Sequence, residues 1–269
     1  MSNLNYLNLG CGNKFHKEWI NVDMVSNSPY VREHNLLKGL PFVNNQFDVI
    51  YHSHVLEHFP KEKAPDFVRE CFRVLKPRGI MRVVVPDLEN IVHEYLKHLN
   101  ENIKNPDRQA EANYDWILLE MYDQTVRNHS GGQMAKFLKQ PDLVNEEYVL
   151  ARSGCLGKKI RNNYLTQKDD KRRFHNIIKS FHTSGTKKLI TKVLRMPFNA
   201  LSSSKARIGA FRLGGEIHMW MYDRFSLSRL LRKAGFANIE IKQPHESDIP
   251  QWDRYELDVK NGAVFDPTS

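Results

Sequence analysis

Short apolar runs alternating with helical periodicity fill the first hundred residues. Asn5–Leu9 is an apolar run that leads into Gly10-Cys11-Gly12, Trp19–Val22 is a second that ends at Asp23, and Tyr30–Glu33 reads as a short third. Phe47–Tyr51 (FDVIY) and Ile80–Val85 (IMRVVV) are rich in β-branched and aromatic residues, as strands buried on both faces are. Between those two, Phe67, Val68, Cys71, Phe72 and Leu75 recur at helical spacing. They predict a helix over Lys63–Leu75, stopped by the turn Lys76-Pro77-Arg78-Gly79. Strands that alternate with helices imply a parallel sheet with helices packed on its faces.

After Pro86 the pattern changes. Leu88, Ile91, Val92, Tyr95, Leu96 and Leu99 define one amphipathic helix, and Tyr114–Val126 predicts a second before the glycine-containing stretch NHSGGQ. From Tyr222 the alternation returns: Leu227, Leu230, Leu231 and Ala234 form a helix ended by Gly235, and Phe236–Ile241 is expected to be a strand. The chain thus divides into an α/β half over 1–100, a helical insertion over 101–215 and a C-terminal completion of the sheet over 216–269. A connection that long inside a domain points to function.

Composition narrows the setting. The chain has 269 residues, 41% hydrophobic and 26% charged, which is globular rather than disordered. No run approaches the roughly 18 apolar residues of a membrane-spanning helix. The start, MSNLNYLNLG, lacks the pattern of a secretory signal, and three cysteines without a C-x-x-C pair argue against a disulfide framework or a cysteine zinc site. A cytoplasmic location is expected, with peripheral contact to an anionic membrane as an added option. That option comes from the charge. Lys158–Arg212 holds 15 Lys and Arg against two acids, a net +13, while the rest of the chain carries −4. Within the block, SGTKKLITKVLRMPF predicts an amphipathic helix ended at Pro197, with Leu189, Ile190, Val193 and Leu194 on one face. Such a block is either a solvated face or a surface for anionic headgroups or phosphorylated acceptors.

Gly10-Cys11-Gly12 follows a strand directly, where glycine lets backbone approach a ligand closely. The dinucleotide fingerprint needs a third glycine, and position 15 is Phe15. Asp23 ends the next strand, placed to accept hydrogen bonds from two ribose hydroxyls. A turn and an acid without a phosphate cradle suit a nucleoside ligand such as S-adenosylmethionine.

The runs YLNLGCG, WINVD, LPFVNNQFDVIYHSHVLEHF and RVLKPRGIMRVVVPD, in that order over residues 6–87, resemble the class I S-adenosylmethionine-dependent methyltransferases. The resemblance implies a Rossmann-like α/β fold: a seven-stranded, mostly parallel sheet, here carrying the helical basic insertion. It implies that Gly10, Cys11 and Gly12 wrap the methionine part of S-adenosylmethionine, that Asp23 holds the ribose, and that Asn35 and Leu36 border the adenine. Ser53 and His54 would face the methionine end and the reacting methyl. Asp23 follows Gly12 by only 11 residues, so the first crossover must be short or irregular. Asn35 stands where an Asp is common in that family, and its side-chain oxygen can still accept from the adenine amino group.

His54-Val55-Leu56-Glu57-His58 matches the inverted zinc-protease pattern H-x-x-E-H. Its position straight after a buried strand argues against protease chemistry, and no metal is expected. Glu216–Asp223 (EIHMWMYD) resembles a segment of methyltransferases encoded among surface-polysaccharide biosynthesis genes, and His218 within it is the first candidate for a general base, with His54 second. Arg127, His129, Glu216 and Tyr222 are the candidate acceptor-binding residues, with Asp123 beside them.

Three function classes follow. The first is methyl transfer to a small-molecule or glycan acceptor, chiefly O-methylation of a phosphorylated, nucleotide-linked or lipid-linked sugar. The second is RNA methylation through the basic insertion. No RNA-binding module and no N-P-P-Y motif after FDVIY support it, so nucleic acid is not the expected partner. The third is a non-catalytic cofactor-binding protein. Oligomeric state is left open.

Overall fold

The computed structural model describes residues 4–26, 28–180 and 204–269. The basic patch over 184–198 lies outside the described residues. Five parallel strands make the sheet: β1 (Tyr6–Leu9), β2 (Ile20–Asp23), β3 (Val31–Glu33), β4 (Phe47–Ser53) and β5 (Leu75–Val84), in the order β3-β2-β1-β4-β5. The order reverses between β1 and β4, and the crevice beyond the strand ends at such a point is where open α/β sheets bind ligands.

Side chains alternate across the strands and separate two cores. Leu7, Leu9, Val22 and Ile50 face α1 (Ala64–Val74) and α7 (Arg224–Ala234). Helix α1 buries Ala64, Phe67, Val68, Cys71 and Val74; of the stripe read from the sequence, Phe67, Val68 and Cys71 are buried, while Phe72 is half-exposed and Leu75 starts β5 instead of ending the helix. Helix α7 starts with a capping box between Asp223 and Ser226 and ends at Gly235, whose φ of 110° is left-handed. A Cβ there would come within 2.9 Å of the Phe72 ring, so Gly235 also permits the close α1–α7 contact.

The opposite face holds no helix between β1 and β2. Residues 10–19 are irregular, as the short spacing required. Two buried asparagines hold that loop: Asn8 donates to Asn21 Oδ1 and Lys14 O, and Asn21 donates to the carbonyls of His16, Trp19 and Tyr30. Trp19, Tyr51, Ile249, Trp252, Tyr255 and Leu257 then cover this face.

The C-terminal strand expected at Phe236–Ile241 does not form, and among the described residues the main sheet has five strands rather than seven. Asn238 has a left-handed φ of 51°, which breaks the extended run. Phe236 turns into the helix-side core and packs edge-on against Phe72. Arg82 of β5 reaches the carbonyls of Gln243, Pro244 and Glu246 and the carboxylate of Asp258, so a side chain rather than a strand ladder holds this segment. A cleft of about 1270 Å³ follows the outer edge of β5 there. A small antiparallel pair, β6 (Val259–Lys260) and β7 (Ala263–Val264), follows.

Beyond β5 come α2 (Leu88–Lys104), α3 (Arg108–Val126), α4 (Gly132–Leu138), α5 (Glu146–Ser180) and α6 (Ser204–Arg212). Asp87 and Asp107 cap the first two, each accepting two backbone N–H groups. These helices bury their own centre of Trp116, Leu138, Leu143 and Val149. Arg152 forks onto Glu120 with contacts of 2.7–2.9 Å. Helix α5 kinks at Gly154, where a Cβ would stand 2.1 Å from Phe265 O.

Candidate active site

The turn after β1 is left-handed at Gly10 (φ 62°) and Gly12 (φ 52°). A Cβ on Gly10 would stand 2.3 Å from Val55 Cγ2, so the turn lies directly against the residue after His54. A Cβ on Gly12 would meet open space. Asp23 Oδ2 accepts from Gly12 N–H at 2.7 Å, which ties the acid at the end of β2 to the turn after β1. Gly10 and Cys11 N–H both reach Val22 O. The Cys11 thiol is buried and pushed up to about 12 by that burial, so its backbone rather than its sulfur is presented. Asn35 Oδ1 accepts from Leu37 N–H at 2.9 Å and caps a short 3-10 turn, while Leu36 packs on the core. An open-sided glycine turn tied to a carboxylate is a cradle that fits the nucleoside and amino-acid ends of S-adenosylmethionine.

Ser53 ends β4, and His54 follows with φ 53°, a left-handed conformation for a non-glycine residue. Its Nδ1 lies 3.1 Å from Glu57 Oε1. Its Nε2 lies 3.1 Å from Ser269 Oγ and 3.4 Å from Asp266 Oδ2, which in turn pairs with Lys14 at 2.8 Å. Burial disfavours the charged imidazole of His54, but Glu57 and Asp266 outweigh it and its pKa stands above the usual value. No sequence signal pointed to the Lys14–Asp266 pair, because residues 264–269 reach the crevice only through an irregular path.

The returning segment meets this turn. Met219 and Trp220 N–H both donate to Glu57 O, His218 N–H donates to Gln124 O, and His58 Nδ1 lies 3.0 Å from Ile217 O. His218 Nε2 is 4.0 Å from Glu57 Oε1. Burial pushes the His218 pKa down to about 3. Burial also raises Tyr222, with the Glu57 charge adding to it, to about 12. Arg127 pairs with Glu216 at 3.0 Å just before His218. His54, His218 and Tyr222 therefore converge around Glu57, with the Arg127–Glu216 pair just before His218 in the chain. His129 stays exposed, near Ser130 O, and Asp123 is spent on the start of α4, accepting from Gln133 and Met134 N–H.

Residues 7–83 match the family model described as a methyltransferase domain. This similarity to a methyltransferase domain spans 77 of the 269 residues, and the chain spans about half the length of the first solved structures it resembles. Among solved structures, the YcgJ protein from Bacillus subtilis is 22% identical with a TM-score of 0.27, and the match covers 36% of this chain and 51% of that one. A putative methyltransferase from Bacillus halodurans is 21% identical with a TM-score of 0.28, covering 45% of this chain and 59% of that one. A SAM-dependent methyltransferase from Archaeoglobus fulgidus is 13% identical with a TM-score of 0.27, covering 59% of this chain and 78% of that one. No curated protein matches the chain. Among the described residues no helix is long and apolar enough to cross a membrane.

Proposed function

We propose that the protein transfers a methyl group from S-adenosylmethionine to a hydroxyl of a small-molecule or glycan acceptor, of the phosphorylated, nucleotide-linked or lipid-linked kind used in polysaccharide biosynthesis. The observation that carries this reading is the imidazole of His54, held by Glu57 at the switch point of the sheet beside the glycine turn. S-adenosylmethionine supplies an electrophilic methyl on a sulfonium, and an in-line displacement asks the protein for alignment and, with a hydroxyl, for a base. Glu57 fixes His54 with Nδ1 toward the carboxylate, and Nε2, which here meets Ser269 Oγ and Asp266 Oδ2, takes the acceptor's proton once the acceptor hydroxyl displaces that of Ser269. The glycine turn and Asp23 would hold the cofactor, which would supply the methyl to the acceptor oxygen while its sulfur kept the bond pair. His218 is the weaker base candidate: its side chain is 5% exposed, against 29% for His54. The order expected from sequence is therefore reversed in this reading.

Arg127 and Glu216 flank the acceptor side, and the helical region over 101–215 serves as its cap, with the basic block facing phosphate or headgroup charge. Arg161 and Arg212 are excepted from that role, because each is held by backbone carbonyls within the helical region. The test is a screen with labelled cofactor across sugar nucleotides, phosphorylated headgroups and total RNA. Label in a sugar nucleotide or headgroup supports the reading. Label in RNA alone would overturn it in favour of an RNA methyltransferase.

A further inference from the structure

Glu57, His58 and His218 each offer one ligand atom, and these atoms lie within 4.8 Å of one another. Two features separate this cluster from an ordinary polar core. Glu57 is fully buried, and its Oε2 has no hydrogen-bond partner among the described residues. A buried carboxylate oxygen without a donor is costly unless something else satisfies it. Its sister atom Oε1 is engaged by His54, so the carboxylate is oriented with Oε2 unsatisfied. His58 Nδ1 sits 3.0 Å from Ile217 O, a contact that places the proton on Nδ1 and leaves Nε2 as a lone-pair donor. That is how metal-bound histidines are normally oriented.

We propose that Glu57, His58 and His218 form a binding site for a divalent metal ion of the zinc class. Two imidazoles and one carboxylate suit zinc, cobalt or nickel, whereas magnesium and calcium prefer all-oxygen shells. Donors about 2.1 Å from a tetrahedral ion stand roughly 3.4 Å apart, so even atoms at the 4.8 Å bound need draw together by only about 1.4 Å on binding. Three protein donors leave one position for water or an acceptor oxygen. The pattern H-x-x-E-H suggests His54 and His58 as the pair, but His54 is committed to Glu57 and His218 supplies the second imidazole. The ion would also join the returning segment to the turn after β4, adding to the backbone bonds from Met219 and Trp220 and the His58–Ile217 contact.

The test is to strip the full-length protein with chelator, titrate it with cobalt(II), follow the visible d–d absorption and then compete with zinc. The expected result is a saturable signal at one equivalent, of tetrahedral intensity, that zinc displaces. His58→Ala and His218→Ala should each weaken cobalt binding at least tenfold. X-ray absorption of the zinc-loaded wild type should show two imidazole ligands, a readout that needs no variant to fold. Absence of a saturable cobalt signal, fewer than two imidazoles, or unchanged binding in a folded His218→Ala protein would overturn the proposal.

Discussion

Along one wall of the crevice, the glycine turn, Asp23 and His54 each stand at or just after the end of the strand that carries them, all within residues 10–54. Along the other wall, Ile217 reaches His58 across 159 residues and Glu216 reaches Arg127 across 89. The first wall is local: strand, turn and acid are neighbours in sequence, so their relative positions follow from β1 and β2 pairing. The second exists only when the helical region has folded and delivered Glu216–Tyr222 back to Glu57. Losing Asp23 on the local wall should therefore report on ligand binding alone, whereas the assembled wall, which meets the local one at His54, links chemistry to stability.

The largest expected effect falls where the walls meet. His54→Gln keeps a polar side chain but cannot accept the proton, and kcat should fall on the order of 100-fold or more with a hydroxyl acceptor. Single-turnover rates beside cofactor affinity will check this, and near-normal turnover would point to an acceptor that needs no base.

Next comes pH-dependent stability. His52 is fully buried against Phe67, and burial lowers its pKa from 6.5 to about 4. Folding favours its neutral form, so this contribution is complete above about pH 6.5 and is lost as pH falls toward 4. The loss should be roughly 3 kcal/mol. Carboxylates held low by partners, such as Glu70 beside Arg73 and Asp223 at its cap, act mainly below that window. Denaturant titrations between pH 7 and 4 should show the slope, to which the buried His218 adds a similar share, and His52→Leu should remove roughly half of it. An unchanged slope in the variant would place the titration elsewhere.

A smaller effect isolates the local wall. Asp23→Ala should weaken S-adenosylmethionine binding by about 1–3 kcal/mol while unfolding midpoints barely move. Calorimetry that found unchanged affinity would remove Asp23 from the site. The smallest effect concerns the basic block. Charge reversal at Lys171, Arg172 and Arg173 should weaken acceptor capture several-fold at low salt, fade at high salt, and leave cofactor affinity alone. Equal kinetics at low salt would make those positions a solvated face.

The geometry of the local wall was legible because its devices are short-range. A glycine pair after a strand, an acid at the next strand end and a histidine after FDVIY each depend on a few neighbouring torsions. The α1 and α7 stripes were legible for the same reason, since 3.6-residue periodicity marks a buried face whatever it packs against. The aromatic cover of Trp19, Trp252 and Tyr255 has no period, and Phe236–Ile241 carried a strand-like pattern that Asn238 and the Phe72 contact overrode.

The sequence by itself determined the parallel α/β core, the placing of the glycine turn and the acid beyond it, and the helical character of the region after Pro86. Tertiary structure alone decided which histidine faces the crevice and which is buried beside Glu57. It also decided that Lys14 meets Asp266, and that irregular C-terminal chain takes the place of further strands. The physical reason is range. Hydrogen-bonded turns and amphipathic periods are settled within a few residues, whereas burial, and with it the proton affinity of an imidazole, depends on chain arriving from more than 150 residues away.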